Sequence, residues 1–206
     1  MQGPDEFRAA RDVSRETLDR LELFAVLLRR WTARVNLIAP ATVDHIWTRH
    51  ILDSAQLFDL APVGDRWVDL GSGGGFPGIV IAIMAADERP GMTVILVESD
   101  LRKAAFLSAA ARETGIRTTI LADRIESVAD QHADILSARA LAPLPRLLDL
   151  SARHMKPGAT ALLHKGARHE AEIGDALANW RFSYKKHPSL TDPSATILAL
   201  TGVSRV

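Results

Sequence analysis

The 206-residue sequence contains no cysteine. This absence excludes disulfide bonds, a thiolate zinc site and an iron–sulfur cluster. Long hydrophobic runs are also missing, because no apolar stretch approaches the roughly 20 residues that a helix needs to cross a bilayer. Residues 1–15 mix acids and arginines and lack the apolar centre of a secretory signal. We therefore expect a cytoplasmic protein that does not enter a membrane.

Neither sign of charge is in excess, since 25 basic residues balance 25 acidic ones. A protein that holds nucleic acid over a wide surface is usually basic, because phosphate contacts need Lys and Arg. If this chain binds RNA, we expect a local basic patch and a small footprint. The seven histidines show no metal-binding spacing such as His-Glu-x-x-His, so we predict no metal site.

The first 60 residues are predicted to form a helical cap. Apolar residues at three- and four-residue steps give one stripe over residues 18–31 and a second over residues 43–58. Val35–Pro40 is predicted to be a loop between them, because Pro40 disfavours helix just before it. We treat residues 1–60 as the cap and residues 61–206 as the main domain, with both packed into one compact unit.

From Arg66 onward, short apolar strands alternate with helical segments, which predicts right-handed crossovers and a mostly parallel sheet. The tail adds two strands, from Phe182 through Thr196–Val203, as an antiparallel hairpin at one edge. The expected fold is α/β, with seven strands and helices on both faces of the sheet. The other predicted strands are Trp67–Leu70, Thr93–Glu98, Ile116–Leu121, Asp134–Ala138 and Thr160–His164, and the predicted helices are Phe76–Ala86, Leu101–Thr114, Ile125–Ala129 and Pro143–His154.

A glycine-rich turn follows the first predicted strand, where Asp69-Leu70 enters Gly71-Ser72-Gly73-Gly74-Gly75-Phe76-Pro77-Gly78. Ligands bind beyond the carboxyl ends of the strands in an open parallel sheet, and glycines let the backbone approach them. Gly73, Gly75 and Gly78 also satisfy the fingerprint Gly-x-Gly-x-x-Gly of dinucleotide-binding proteins. The glycines alone therefore admit NAD as well as other nucleotide cofactors, and a turn without a ligand is a further alternative.

The carboxylate of Asp69 favours a methyl donor over a dinucleotide. A dinucleotide would bring its pyrophosphate near this carboxylate, and like charges would repel. A sulfonium cation with a free amino group would be attracted instead. We predict that S-adenosylmethionine binds at Asp69, Gly71, Gly73 and Gly75.

Glu98 ends the second predicted strand. A carboxylate about twenty residues past a glycine turn commonly accepts hydrogen bonds from ribose hydroxyls. We therefore predict that Glu98 binds the ribose of the cofactor, a role that would serve NAD and S-adenosylmethionine equally.

Several short motifs, in order along the chain, resemble those of the RsmG (GidB) family of small-subunit ribosomal RNA guanine N7-methyltransferases. The resemblance runs from Trp31 to near the C-terminus, and His164 stands where a Leu is common in the family. The motifs are Asn36-Leu37-Ile38, Arg49-His50-Ile51-Leu52-Asp53-Ser54, the turn Asp69–Gly78, Val97-Glu98-Ser99, Lys103-Ala104-Ala105-Phe106-Leu107, Ser137-Ala138-Arg139-Ala140 and Lys165-Gly166.

The resemblance implies a class I, Rossmann-like methyltransferase fold. It implies transfer of the methyl group of S-adenosylmethionine to N7 of guanine-527, in the 530 loop of 16S ribosomal RNA. It further implies that Gly71, Phe76, Ile125, Glu126 and Arg139 contact the cofactor.

The residues agree with N7 transfer on chemical grounds. Guanine N7 has an in-plane lone pair and no proton to lose, so in-line transfer needs positioning and no general base. Carbon-5 methylation of pyrimidines typically uses a cysteine, which is absent. The Asp/Asn-Pro-Pro-aromatic segment typical of amine methylation is also absent after the fourth strand, where Arg139 stands.

Arg139 is expected to pair the carboxylate of the donor or a phosphate, and a structural salt bridge to Asp69 or Glu98 is the alternative. Lys165 follows the fifth strand and is predicted to contact an RNA phosphate, unless it is a solvated loop lysine. Contacts of Arg49 and His50 with RNA rest mainly on the resemblance, since Arg49 and Asp53 also have the spacing of a helix ion pair.

The partner we expect is 16S ribosomal RNA or a small-subunit particle, bound by a monomer. Two other functions stay open from the sequence. One is an NAD-dependent oxidoreductase that uses the same glycine turn. The other is a non-catalytic RNA-binding module that keeps the cofactor as a structural ligand.

Overall fold

In the computed structural model, which describes residues 3–206, seven strands form one sheet. The first five strands are parallel, and β7 runs antiparallel to both β5 and β6. The order across the sheet is β3-β2-β1-β4-β5-β7-β6, which confirms the predicted α/β class with a terminal antiparallel hairpin. The strands are β1 (Arg66–Leu70), β2 (Thr93–Val97), β3 (Thr119–Leu121), β4 (Ala133–Arg139), β5 (Met155–Lys165), β6 (Trp180–Pro188) and β7 (Thr196–Arg205).

Helices cover both faces of this sheet, as predicted. The α-helices are α1 (Pro4–Ala10), α2 (Arg15–Thr32), α3 (Asp53–Leu60), α4 (Gly78–Glu88), α5 (Leu101–Thr114), α6 (Leu144–Ser151) and α7 (His169–Leu177). A 3-10 helix (Pro40–His45) and a π-helical segment (Trp47–Leu52) connect α2 to α3, and a second 3-10 helix (Ala152–His154) follows α6.

The sheet separates two hydrophobic clusters because successive side chains of a strand point to opposite faces. Trp67 of β1 packs with the N-terminal helices, α4 and α5, whereas Val68 packs with α6 and α7. Aromatic contacts join the N-terminal segment to the first face, with ring centroids 5.4 Å apart for Phe24 and Phe76. The segment predicted as a cap therefore covers one face of the sheet, and its treatment as a separate unit stays a prediction.

One sequence-based helix prediction is wrong, and one helix was missed. Ile125–Ala129 forms turns, because the carbonyl oxygens of Ile125 and Val128 accept hydrogen bonds from the guanidinium of Arg153 instead of closing helical turns. Helix α7 was not predicted, because it buries only Ile173 and Ala176 and so lacks a recognisable apolar stripe.

A chain of buried hydrogen bonds crosses the centre of the sheet. The indole Nε1–H of Trp67 donates to Ser137 Oγ at 2.8 Å, and the Ser137 hydroxyl donates to Asp69 Oδ1 at 2.7 Å. All three residues are fully buried, so water cannot replace either bond. This chain links β1 to β4 directly below the glycine turn.

Replacing Ser137 by Ala should lower the free energy of unfolding by about 1–3 kcal/mol, because the buried indole N–H then has no acceptor. Urea unfolding measures this change. Ser108→Ala is the matched control, because the Ser108 hydroxyl bonds only to the Ala104 carbonyl on the outer part of α5, and it should change stability by no more than about 0.5 kcal/mol. Equal effects of the two substitutions would contradict the assignment.

Candidate cofactor and acceptor site

The carboxyl ends of three strands meet at one edge of the sheet. Leu70 of β1 lies opposite Val97 of β2 and Ala138 of β4. The next residue along each strand therefore falls beside the others, and a cavity of about 350 Å³ opens there. The predicted cofactor residues that line this cavity are Gly71, Gly73, Glu98, Ile125, Glu126 and Arg139.

Glu98 fixes the turn from the neighbouring strand. Its Oε2 accepts the backbone N–H of Gly73 at 2.8 Å, and its Oε1 accepts the N–H of Asp100 at 2.8 Å. A carboxylate oxygen has two acceptor positions, so one on each oxygen remains for a ligand. Glu98 can therefore hold the turn and, at the same time, accept hydrogen bonds from hydroxyl groups of a ligand in the cavity.

The glycines of the turn serve different purposes. Gly73 has φ +53° and lines the cavity, and the protein atom nearest to an added Cβ would be Gly71 O at 3.7 Å. Gly75 has φ +88°, and a Cβ there would come within 2.8 Å of Ile79 Cγ1. Gly73 thus leaves space on the ligand side, whereas Gly75 is required by packing and does not line the cavity.

The contact of Asp69 with the cofactor stays a prediction. Asp69 is fully buried beneath the turn and does not line the cavity. Its Oδ2 accepts the backbone N–H of Gly78 at 3.1 Å, at the start of α4. Burial raises the pKa of Asp69 to about 6, although hydrogen bonds from Ser137 and Gly78 oppose the rise. Asp69 therefore positions the turn from below.

Arg139 lies in the cavity wall, but neither predicted salt-bridge partner holds it. Its Nε is 3.6 Å from Asp53 Oδ2, and its Nη2 donates to the carbonyl oxygen of Arg49 at 2.8 Å and to His50 Nδ1 at 3.0 Å. The alternative of a bridge to Asp69 or Glu98 is wrong. Its Nη1 is buried and has no hydrogen-bond partner in the described part of the chain.

His50 is neutral and its tautomer follows from its neighbours. Because arginine only donates, His50 Nδ1 accepts from Arg139, and the ring proton must lie on Nε2, 2.8 Å from Thr42 Oγ1. Burial and the positive charge of Arg139 lower the pKa of His50 to about 3. Its ring stacks on Phe76, with centroids 4.9 Å apart. Both ring nitrogens are thus used inside the protein, and contact of His50 with RNA stays a prediction.

Phe76 also stands behind the cavity wall instead of lining it. The ring is buried between Phe24 and His50. Its predicted contact with the cofactor therefore has no support in the described structure, and Phe76 supports the residues that hold Arg139.

Asp53 is a buried charged residue beside this site that was not among the predicted site residues. The predicted helix pair with Arg49 does not form, because Arg49 extends to Asp192 at 3.4 Å, with its side chain 52% exposed. The Asp53 carboxylate instead lies 3.3 Å from His164 Nε2 and near Arg139, and accepts a hydrogen bond from Thr191 at 2.8 Å. These groups hold the pKa of Asp53 well below its usual range despite burial.

A second cavity, of about 250 Å³, adjoins the first, because Ala140 and Leu141 line both. Lys165 lies in its wall, with its ammonium 2.8 Å from Glu172 Oε2 and 2.8 Å from the carbonyl oxygen of Ala142. Lys165 is only 7% exposed, so the alternative of a solvated loop lysine is wrong. Its predicted contact with an RNA phosphate stays a prediction.

Asp123 and Lys103 are two of the residues that line the first cavity and were not among the predicted cofactor residues. Asp123 follows β3 and lies at the same edge of the sheet as Glu98. The rule that ligands bind beyond the carboxyl ends of parallel strands would have identified it. Lys103, in the first turn of α5, also lines the cavity, and the only sequence signal for it was its place in one of the family motifs.

Residues 3–206 contain no helix long and apolar enough to cross a membrane. Over the same residues, no three acidic or histidine side chains are placed to hold a metal ion.

Comparisons with known proteins identify the family and the fold of this chain. A family model described as GidB, rRNA small subunit methyltransferase G, matches residues 17–198. A relative from Ruegeria pomeroyi, named Ribosomal RNA small subunit methyltransferase G, is 53% identical over 195 residues, covering 95% of this chain and 96% of that protein. The crystal structure of a TehB-like SAM-dependent methyltransferase from Corynebacterium glutamicum has a TM-score of 0.56 at 14% identity, covering 73% of this chain and 86% of that one.

A second solved structure, TYW2 from M. jannaschii in complex with AdoMet, has a TM-score of 0.57 at 12% identity and covers 76% of each chain. At such identities the structural likeness concerns the fold alone. It confirms the Rossmann-like methyltransferase fold that the sequence predicted.

Replacing His50 by Gln should make the protein less sensitive to acid. Because the folded pKa is about 3 and the ordinary value is 6.5, the unfolded wild type binds a proton that the fold excludes. Wild-type stability should therefore fall as pH drops below about 6.5, by at most about 1.4 kcal/mol per pH unit from this residue. Urea unfolding between about pH 7.5 and about pH 4.5 should show the variant gaining stability relative to wild type. A difference that stays constant with pH would contradict a neutral, buried His50.

Proposed function

The chain belongs to the GidB family of rRNA small subunit methyltransferases, and we propose that it methylates N7 of guanine-527 in the 530 loop of 16S ribosomal RNA. It is a methyltransferase of small-subunit rRNA, and its cofactor is S-adenosylmethionine. The observation that carries the finer proposal is the pair of adjoining cavities, one at the glycine turn and one beyond Lys165. Because the chain belongs to a methyltransferase family, the alternative of an NAD-dependent oxidoreductase is excluded.

The residues of the first cavity fit S-adenosylmethionine. Glu98 offers a free acceptor position on each oxygen for the ribose hydroxyls. The buried Nη1 of Arg139, which lacks a partner within residues 3–206, suits a carboxylate of the cofactor. Ile125 and Glu126 line the wall where the resemblance expects cofactor contacts. The open side of Gly73 leaves room for the ligand to approach the backbone.

The cofactor supplies an electrophilic methyl group on a sulfonium centre. Because guanine N7 carries a lone pair and no proton, the protein need not remove one. Arg139 is rigidly held by Asp53 and His50 and contributes by positioning, an effect that can reach about 7–11 kcal/mol in well-oriented reactions.

The RNA is proposed to approach across the edge that carries Arg49, whose side chain is half exposed. We propose that the protein acts as a monomer in the cytoplasm, where ribosomal RNA is modified. Its equal numbers of basic and acidic residues suit a small footprint on the RNA.

The proposal is tested by labelled methyl transfer from S-adenosylmethionine to naked 16S RNA, assembly intermediates and finished small subunits, followed by mapping of the modified base. We expect label at N7 of guanine-527 in at least one substrate. Label at another base, or only on small molecules, would contradict the proposal. A protein that binds RNA and cofactor without transferring label would instead be a non-catalytic RNA-binding module.

Replacing Gly73 by Ala should weaken binding of S-adenosylhomocysteine about tenfold or more, because the added methyl occupies space for the ligand and overpacking costs about 1–3 kcal/mol. Isothermal titration calorimetry measures the affinity. Gly202→Ala is the matched control: Gly202 also has positive φ (+64°), an added Cβ meets nothing within 4 Å, and it lies in β7, outside the cavity wall. Unchanged affinity of the Gly73 variant would show that the turn is purely structural.

A further inference from the structure

The second cavity adjoins the cavity at the glycine turn. It opens between the segment that follows β4, the carboxyl end of β5 and helix α7. Ala140 and Leu141 line both cavities, so a group in the second lies next to a ligand in the first. Its apolar wall is formed by Leu141, Pro143 and Leu147.

Glu172 presents a free carboxylate oxygen in this cavity. Its Oε2 accepts hydrogen bonds from Lys165 Nζ at 2.8 Å and from the backbone N–H of Leu144 at 2.8 Å, which use both acceptor positions of that oxygen. Its Oε1 makes no hydrogen bond to any described residue. Burial raises the pKa of Glu172, but the bonds from Lys165 and Leu144 outweigh it and keep the pKa below its usual value. The group is therefore a carboxylate with two unused acceptor positions.

Lys165 adds one donor beside those acceptors. An ammonium group has three protons, and two of them serve Glu172 Oε2 and the carbonyl oxygen of Ala142. The third remains for a ligand. The cavity thus offers a donor and two neighbouring acceptor positions between apolar side chains, which is the pattern that complements a flat heterocycle with an acceptor beside two donors.

We propose that this cavity receives the target guanine, with Glu172 Oε1 accepting N1–H and the 2-amino group and Lys165 donating to O6 in place of the RNA phosphate expected from the sequence. The inference rests on the proposed function and deepens it, because it names the residues that select the base. Enzymes that act on an unstacked base commonly read its Watson–Crick edge in this way. Adenine would place its N1 lone pair against the carboxylate and is rejected by the same geometry.

This orientation also accounts for the choice of N7. N1 and the 2-amino group lie on the six-membered ring, and N7 lies on the five-membered ring. When the Watson–Crick edge faces Glu172 and Lys165, N7 stays free of hydrogen bonds and faces away from them. The methyl donor would lie in the adjoining first cavity, which shares the wall residues Ala140 and Leu141 with the second.

The test uses reconstituted small subunits that carry guanine or inosine at the target position. Inosine keeps N7, O6 and N1–H but lacks the 2-amino group. Wild-type kcat/KM for N7 methylation should be about tenfold lower on inosine, because one specific base contact discriminates by about 1–3 kcal/mol.

Glu172→Gln should lose most of this preference for guanine over inosine. Its amide oxygen must face the donors Lys165 Nζ and Leu144 N–H, so its NH₂ group faces the cavity, where it opposes N1–H. Glu170→Gln is the matched control on the same helix, because Glu170 is 63% exposed and pairs with Lys186, and this variant should keep the wild-type preference.

The outcomes separate the two claims. If wild type does not methylate guanine at N7, the proposed function fails. If wild type methylates guanine but treats inosine equally, or if folded Glu172→Gln keeps the full preference, the base-reading role is overturned while the function stands. Binding of S-adenosylhomocysteine, measured by calorimetry, shows whether Glu172→Gln is folded. If this variant does not fold, the comparison of guanine with inosine in the wild type decides alone.

Discussion

The buried carboxylate of Asp69 is the constraint on which the rest of the site depends. One oxygen holds the start of α4 through the N–H of Gly78, and the other accepts from Ser137 on the neighbouring strand. Since the carboxylate is fully buried, these bonds have no competition from water. They join the first strand, the fourth strand and the glycine turn into one rigid unit, so Glu98 and Arg139 face a cavity of fixed shape.

A second charged centre fixes Arg139 in the wall of the first cavity. Asp53 lies at the start of α3. Its carboxylate lies close to His164 of β5 and Arg139 of β4, and it accepts a hydrogen bond from Thr191 in the β6–β7 connection. It holds Arg139, whose Nη2 is also fixed by a neutral His50. All but one of the guanidinium nitrogens have partners in the part of the chain that is described, and the remaining Nη1 is buried. Pre-positioned charge of this kind suits a reaction that needs alignment and no proton transfer.

The sequence allowed the sheet, and the edge of the sheet where Glu98 and Arg139 meet, to be predicted, because both follow from local patterns. Alternating strands and helices predict a parallel sheet, and the sheet then brings Glu98 and Arg139 to one edge. The partners of these residues could not be predicted, because they depend on how distant elements pack. Asp53 and Arg139 lie close together although they are 86 positions apart in the sequence. Glu172 lies on α7, a helix that the sequence pattern did not reveal because it lacks an apolar stripe. The bonds of Asp69 to Gly78 and Ser137 could not be predicted either, because its position along the strand does not reveal that its side chain points beneath the turn.

The most direct test of this account is a crystal structure of the protein with S-adenosylhomocysteine. The account predicts that the ribose hydroxyls lie within hydrogen-bond distance of Glu98, that the carboxylate of the ligand reaches the guanidinium of Arg139, and that the sulfur faces the cavity beside Lys165. Ligand bound in the larger groove lined by Arg20, Met92 and Arg117 at the opposite edge of the sheet would contradict it, as would a bound ligand that leaves Arg139 Nη1 without a partner.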